Sequence, residues 1–318
     1  MAIFLSENDV KQLLTVTMAI DAVESAHRDL ANGLAQDTPR ARTRLPQTVL
    51  HMLHGALLAQ GVIGYKAYTT NRSGNRFLVH LFDSASGVLL AVIEADYLGM
   101  IRTGAASAVA AKYLARPESA VAGVFGSGWQ AEGHIRAICA VLPLKQVKVC
   151  GRQPEKLNSF CARLQEMTGV EMLPTLSPET TVRGSDLVGT VTTAVTPLFE
   201  AEWLEPGTHI NAAGSNALIR HELSEAAVRR CAVVCVDSIP TALAEAGDLL
   251  PLLEKGRLHP RQLIELGDVM IGRRSGRQTA GDITLFESQG MAIQDLALGV
   301  RLLAAAREQG LGVSLPMP

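Results

Sequence analysis

Between Val121 and Ile138 the chain reads VAGVFGSGWQAEGHIRAI, a stretch that few backbone arrangements satisfy. An apolar run ends at Gly126, a second glycine follows at Gly128, a small residue stands at Ala131, and Ile135 and Ile138 then repeat at helical spacing. The first run predicts a buried strand and the second an amphipathic helix, so the triplet occupies a strand-to-helix turn. In that context the first glycine permits the tight turn and the second lets the backbone approach a pyrophosphate. The third small residue allows close helix–strand packing. A helix beginning near Gln130, with Trp129 just before it, would turn its free N–H groups toward the anion.

The segments that follow carry the same rhythm. VKVC (147–150), DLVGTVTT (186–193), HINAAG (209–214) and VVCVDS (233–238) read as strands. PEKLNSFCARLQEM, with Pro154 at a first helical position, and SPETTVRG, with Ser177 as N-cap, read as helices between them. This alternation predicts an α/β architecture, a Rossmann-type doubly wound parallel sheet over residues 116–290. Residues 1–115 read differently, with a helical start, then extended segments around TVLHMLHGALL, VIGYKAYTT and RFLVHLFD. They predict a second, α+β domain, which a closing helix over 290–310, stopped by Gly310, is expected to rejoin. GAASAVAAKYLA, 104–115, predicts a small-residue helix leading into the dinucleotide half.

About 20 residues beyond the glycine triplet, an acidic side chain would hold the adenosine ribose hydroxyls of NAD. Here the strand end reads VKVCGRQPEK. No carboxylate stands at Cys150, Gly151 or Arg152, and the planar fork of Arg152 suits a 2′-phosphate. The expected cofactor is NADP(H) by preference, with NAD(H) possible.

The 29 basic and 31 acidic residues are spread along the 318-residue chain without a basic block, which argues against a nucleic-acid partner. No run reaches membrane-spanning length, and Glu7, Asp9 and Lys11 interrupt the N-terminal apolar stretch, so no membrane association is expected and a cytoplasmic location is. The five cysteines lack CxxC spacing and read as structural thiols. His51 and His54 lie in a segment that reads as strand, without a nearby carboxylate, so no metal site is expected.

Taken with the fingerprint, the stretches RTRLP, GYKAYTT around Lys66, IRTGAASAVAAKYLA around Arg102, HINAAGSN, EAGDLL and TLFESQGMAIQDLA resemble the ornithine cyclodeaminase/μ-crystallin family over nearly the whole chain. The resemblance implies a homodimer of two-domain subunits, a nicotinamide cofactor and hydride transfer at the α-carbon of a small amino or imino acid. It also implies that Lys66, Arg102 and an arginine of RTRLP hold the substrate carboxylate. Arg42 fits the motif better than Arg44, which stays an alternative because side chains two apart on a strand share a face. Lys66 lies in a mostly apolar run, where an ammonium needs an anionic partner or a lowered pKa, and could donate a proton to the product nitrogen. Arg102 reads as lying just before a helix N-terminus, where charge and dipole both favour an anion, and the resemblance places it near both the substrate carboxylate and the cofactor. Val191, Thr192 and Ser288 match cofactor-lining positions of the family.

Two departures stand out. Ornithine cyclodeaminases of the family carry Gly-Gly-Asp after the fifth strand, with the aspartate handling the substrate amino group, whereas this chain has Gly214, Ser215 and Asn216. The neutral amide of Asn216, a catalytic candidate by position, can hydrogen-bond an amine but cannot take its proton. Leu78 stands where many relatives have a cofactor-contacting threonine. Asp237 and Asp248 also match family positions, with capping as the plainer reading of each. The leading expectation is an NAD(P)H-dependent reductase of α-imino acids, of the ketimine or pyrroline-2-carboxylate type, equivalently an amino-acid dehydrogenase. Ornithine cyclodeaminase is the first alternative, and a non-catalytic NADPH-binding protein of the μ-crystallin kind is the second.

Overall fold

The computed structural model describes residues 1–316. Contacts divide the chain into two compact units, Met1–Arg102 with the segment from Gly290 onward, and Thr103–Gln289. The first unit opens with β1 (Ile3–Leu5), α1 (Glu7–Leu13) and α2 (Val16–Ala31). Ser6 starts α1 through a capping box: its hydroxyl accepts the Asp9 N–H, and the Asp9 carboxylate accepts the Ser6 N–H at 2.9 Å. Strands β2 (Ala35–Arg44), β3 (Thr48–Leu57), β4 (Val62–Asn71), β5 (Gly74–Asp83) and β6 (Leu89–Glu94) follow.

The next helix, α3 (Asp96–Leu114), begins well before the small-residue stretch that predicted it. Its first turn is capped from a distance, because the Glu7 carboxylate accepts the Asp96 N–H at 2.6 Å and the Tyr97 N–H at 3.2 Å. Arg102 therefore lies inside a helix rather than just before one. The division between the units also falls within α3, earlier than the expected 115/116 boundary. Ala111 and Ala115 at its end pack with Ala122, Val124, Ile135 and Val147 of the second unit's core.

That unit runs β7 (Val121–Phe125), α4 (Trp129–Val141), β8 (Gln146–Cys150), α5 (Pro154–Thr168), β9 (Glu171–Thr175), α6 (Pro178–Val182), β10 (Leu187–Thr190) and β11 (His209–Ala212). It continues with α7 (Glu225–Arg229), β12 (Val233–Val236), α8 (Ile239–Glu245), α9 (Leu250–Glu254), β13 (Leu263–Glu265), α10 (Leu266–Met270) and β14 (Thr284–Glu287). Over the described residues these strands form one sheet in the order β13-β12-β14-β11-β10-β7-β8-β9, parallel at every pairing. The winding direction reverses at β7, which places the Gly126–Gly128 turn at the topological switch point. The strand expected over 186–193 stops at Thr190, because the Thr192 N–H and hydroxyl turn aside to the Glu222 carboxylate.

The chain then returns as α11 (Ala292–Gln309), ended by Gly310 with φ +66°, and β15 (Val313–Ser314). The first unit's sheet has the order β15-β1-β6-β5-β4-β3-β2 and is antiparallel except where β1 meets β6. α11 packs across β3, β4 and β5 beside α2, and buries Leu296, Leu302 and Leu303.

Candidate active site

In the first unit, Lys66 of β4 stands opposite Leu53 of β3 and Val79 of β5, both buried, so its side chain shares their sheet face. At 3 % exposure its ammonium depends on the protein for partners. Nζ donates to Oδ1 of Asp295 on α11 at 2.8 Å, and Nε of Arg102 donates to the same oxygen at 3.0 Å. Arg102 Nη1 also donates to Gln294 Oε1 at 3.0 Å. That contact orients the amide, so Gln294 Nε2 donates to His27 Nε2 at 3.0 Å, which assigns the His27 proton to Nδ1. Burial holds His27 down to about 4, so it stays neutral.

The same electrostatics set Lys66. Burial is the largest influence and pulls it down, Asp295 opposes this, and Arg102 and Arg40 reinforce it, leaving the lysine at about 8 against the usual 10.5. Its Nζ lies 5.2 Å from the Phe77 ring centroid. Phe77 stacks on Tyr68 at 4.7 Å and Tyr68 on His51 at 4.2 Å, giving the cationic face an aromatic side. His51 is lowered to about 4, first by burial and then by Arg42, Arg40 and Arg44, so the arginines of β2 gather at this end of the sheet.

Arg42 is half-buried and pairs in register with His51, whereas Arg44 is exposed. Arg40 and Asp295 are the members that reading the motifs missed. Alternation could have found Arg40, since 40, 42 and 44 are every second residue of one strand. Nothing local marks Asp295.

In the second unit, the fingerprint has the geometry a dinucleotide requires. Gly126 has φ +117°, and a Cβ there would stand 3.0 Å from the Val191 carbonyl oxygen, so only glycine fits the turn. Gly128 is the N-cap of α4 and has open space above it, and Ala131 is fully buried against the sheet. A pyrophosphate fits such a turn, with α4 N–H groups as donors. Trp129 and Gln130 are exposed at the start of that helix. Gly151 follows β8 beside Ser127, and Arg152 is exposed on the same loop. An open groove nearby is lined by Ser127, Glu155, Lys156, Ser159, Phe160 and Arg163.

Thr192 donates its hydroxyl to Glu222 Oε1 at 2.7 Å, and Gly214 N donates to Glu222 Oε2 at 2.8 Å, so one buried carboxylate ties the turns after β10 and β11 together. Burial raises Glu222, and the Thr192 hydroxyl and N–H oppose the rise. Val191 borders the Gly126 turn, whereas Ser288 gives its hydroxyl to Asp237 at 3.0 Å. Asp248 accepts the Glu222 and Leu223 N–H groups at 2.7 and 3.0 Å, which makes it a clamp on the loop that follows Asn216. Asn216 is half-buried in that loop, and Leu78 of β5 pairs in register with Ala67 of β4 and Glu94 of β6.

The family model for ornithine cyclodeaminase/mu-crystallin matches residues 1–308. The chain belongs to that family. It is 38 % identical over 236 residues to a Delta(1)-pyrroline-2-carboxylate reductase of Bacillus cereus, a match covering 74 % of this chain and 72 % of that one. The Thermococcus litoralis Delta(1)-pyrroline-2-carboxylate reductase, solved with NADH and L-proline, superposes with a TM-score of 0.94 at 29 % identity, covering 98 % of this chain and 100 % of the other. An archaeal alanine dehydrogenase dimer with bound NAD also gives 0.94 at 29 % identity, covering 100 % and 99 %. These relatives fit the doubly wound, dinucleotide-type sheet of the second unit.

Proposed function

We propose that the chain reduces α-imino acids of the pyrroline-2-carboxylate or ketimine type with NAD(P)H, and oxidises the corresponding amino acids in reverse. The observation that carries this reading is the buried cluster of Lys66, Arg102 and Asp295, in which two cations share one anion. The surplus positive charge calls for one further anion, and a substrate carboxylate is such a group. The pyrroline-2-carboxylate reductases among the relatives support it.

In this reading Lys66, Arg102 and an arginine of β2 bind the carboxylate, with Arg42 the first choice and Arg40 beside it. Lys66, charged below about pH 8, passes a proton to the imine nitrogen, for which its value of about 8 is suited. Nicotinamide supplies the hydride when bound, and the protein supplies position. Gly126, Gly128, Trp129, Gln130 and Gly151 hold the dinucleotide, with Val191, Thr192 and Ser288 toward its nicotinamide end. Arg152 selects NADP(H) over NAD(H), a preference supported by the absence of a carboxylate at 150–152 and by Lys156 in the adjoining groove. Asn216 hydrogen-bonds the substrate nitrogen without taking its proton, which disfavours cyclising deamination of ornithine.

The working form in this reading is a cytoplasmic homodimer. Half-exposed Ile63 and the stacked Tyr65, His80 and Phe82 on the sheet face opposite Lys66 offer apolar area for a second copy. The five cysteines are unpaired, as in a reducing compartment. No described helix is long and apolar enough to cross a membrane.

NADPH and NADH oxidation measured against pyrroline-2-carboxylate, piperideine-2-carboxylate, iminosuccinate, and pyruvate with ammonia or methylamine tests the proposal. Turnover of an imino acid is expected, with little ammonia released from ornithine. Firm NADPH binding without any turnover would overturn it in favour of a non-catalytic binder.

A further inference from the structure

Asp295 makes no contact that the reading above requires of a substrate-binding residue, yet it is fully buried and touches both cations through one oxygen. Its second oxygen, Oδ2, has no hydrogen-bond partner among the described residues. A buried carboxylate is costly unless it is paired, and here the pairing comes from Lys66 of β4 and Arg102 of α3, two elements whose order in the chain does nothing to bring them together. The neighbouring Gln294 takes a second donor of the Arg102 fork and is itself held by the neutral His27 of α2. Successive residues of α11 thus hold the guanidinium at two points, which fixes both its plane and its position.

We propose that Asp295 is a positioning residue for imine reduction: it sets the places of the Lys66 ammonium and the Arg102 guanidinium, and it keeps the lysine charged in its buried site. The inference rests on the proposed function for its meaning and on the geometry of the first unit for its substance. The groups facing Lys66 are Asp295 from α11, Arg102 and Asp96 from α3, Arg40 from β2 and the Phe77 ring from β5. Of these, Asp295 is the anion in direct contact. Both arginines push the lysine toward its neutral form, so the carboxylate opposes burial and the two guanidiniums together. With Asp295 ionised the trio carries one net positive charge, and binding one carboxylate cancels it.

Asp295→Asn tests the charge, because the amide keeps the size of the side chain and an acceptor oxygen but loses the anion. The pH above which kcat/KM declines is expected to move down by about one unit or more, with NADPH affinity held within about twofold. Asp295→Glu tests the placement. It keeps the charge and moves it by one methylene, so the pH profile should stay near that of the wild type while KM for the imino acid rises about tenfold or more.

Titration of Lys66 by NMR of carbon-labelled lysine, assigned with Lys66→Met, reads the same effect without substrate or turnover. A lysine that titrates lower in Asp295→Asn supports the inference even where no imino acid is reduced, so its fate is separable from that of the activity. A uniform loss of rate with unmoved pH profile and titration, or a Glu variant with wild-type KM, would overturn it. Should the Asn variant fail to fold, the Glu variant alone decides the positioning role.

Discussion

Gly104 of α3 and Gly133 of α4 meet backbone to backbone: a Cβ on residue 104 would overlap the Gly133 carbonyl group. The contact sets how closely α4 lies against α3, and α4 is the helix whose first turn carries Trp129 and Gln130. Gly104→Ala should force the two helices apart at a cost of about 1–3 kcal/mol, the usual range for overpacking. A lowered melting temperature together with weaker dinucleotide binding is expected. An unchanged melting temperature would mean that the helices move apart freely.

Arg152→Asp should weaken NADPH and spare NADH. A charge-assisted contact to the 2′-phosphate is worth roughly 1.5–3 kcal/mol, or about 10- to 150-fold in affinity. Fluorescence titration with both cofactors separates the cases, and equal losses for the two would remove the basis for an NADP preference.

Lys66→Ala should abolish most turnover while leaving cofactor affinity near that of the wild type, since Lys66 belongs to the first unit and the fingerprint to the second. Stopped-flow cofactor binding beside steady-state rates makes the comparison. Substantial activity in this variant would contradict both roles assigned to the lysine.

The wild-type pH profile follows from the same group. The charged form of Lys66 binds the carboxylate and donates the proton, and burial has brought its pKa from the usual 10.5 to about 8. At saturating cofactor, kcat/KM should therefore be level below that point and fall as pH rises through it, approaching tenfold per unit. A profile level through pH 10 would show that the charged lysine is not required.

Asn216→Asp should raise ammonia release from ornithine, if only slightly, because it restores a group able to accept the amino proton in a pocket not shaped for the longer cation. Efficient conversion of ornithine to proline and ammonia by the wild type would refute the role given to the amide.

The chain's local chemistry determined the dinucleotide half. The turn at Gly126, the open N-cap at Gly128, Pro154 at the start of α5, Ser177 as cap of α6 and Gly310 as stop of α11 are each written within a few residues, because turns and caps are satisfied by near neighbours. The basic residues that gather near Lys66 were also visible by type. Their partners were not. Asp295 lies 229 residues from Lys66 and 193 from Arg102, and its neighbour Gln294 donates to His27, on a helix at the other end of the chain. The start of α3 escaped for the same reason, since its cap comes from Glu7, 89 residues away. So did the end of β10, where Glu222 draws Thr192 off the sheet. Local backbone preference reaches about one helical turn, whereas the pairing of a buried charge is decided by which elements the fold packs together. Sequence therefore determined the turn that suits the cofactor and the cations that suit the substrate, and tertiary structure alone decided which carboxylate holds those cations in place.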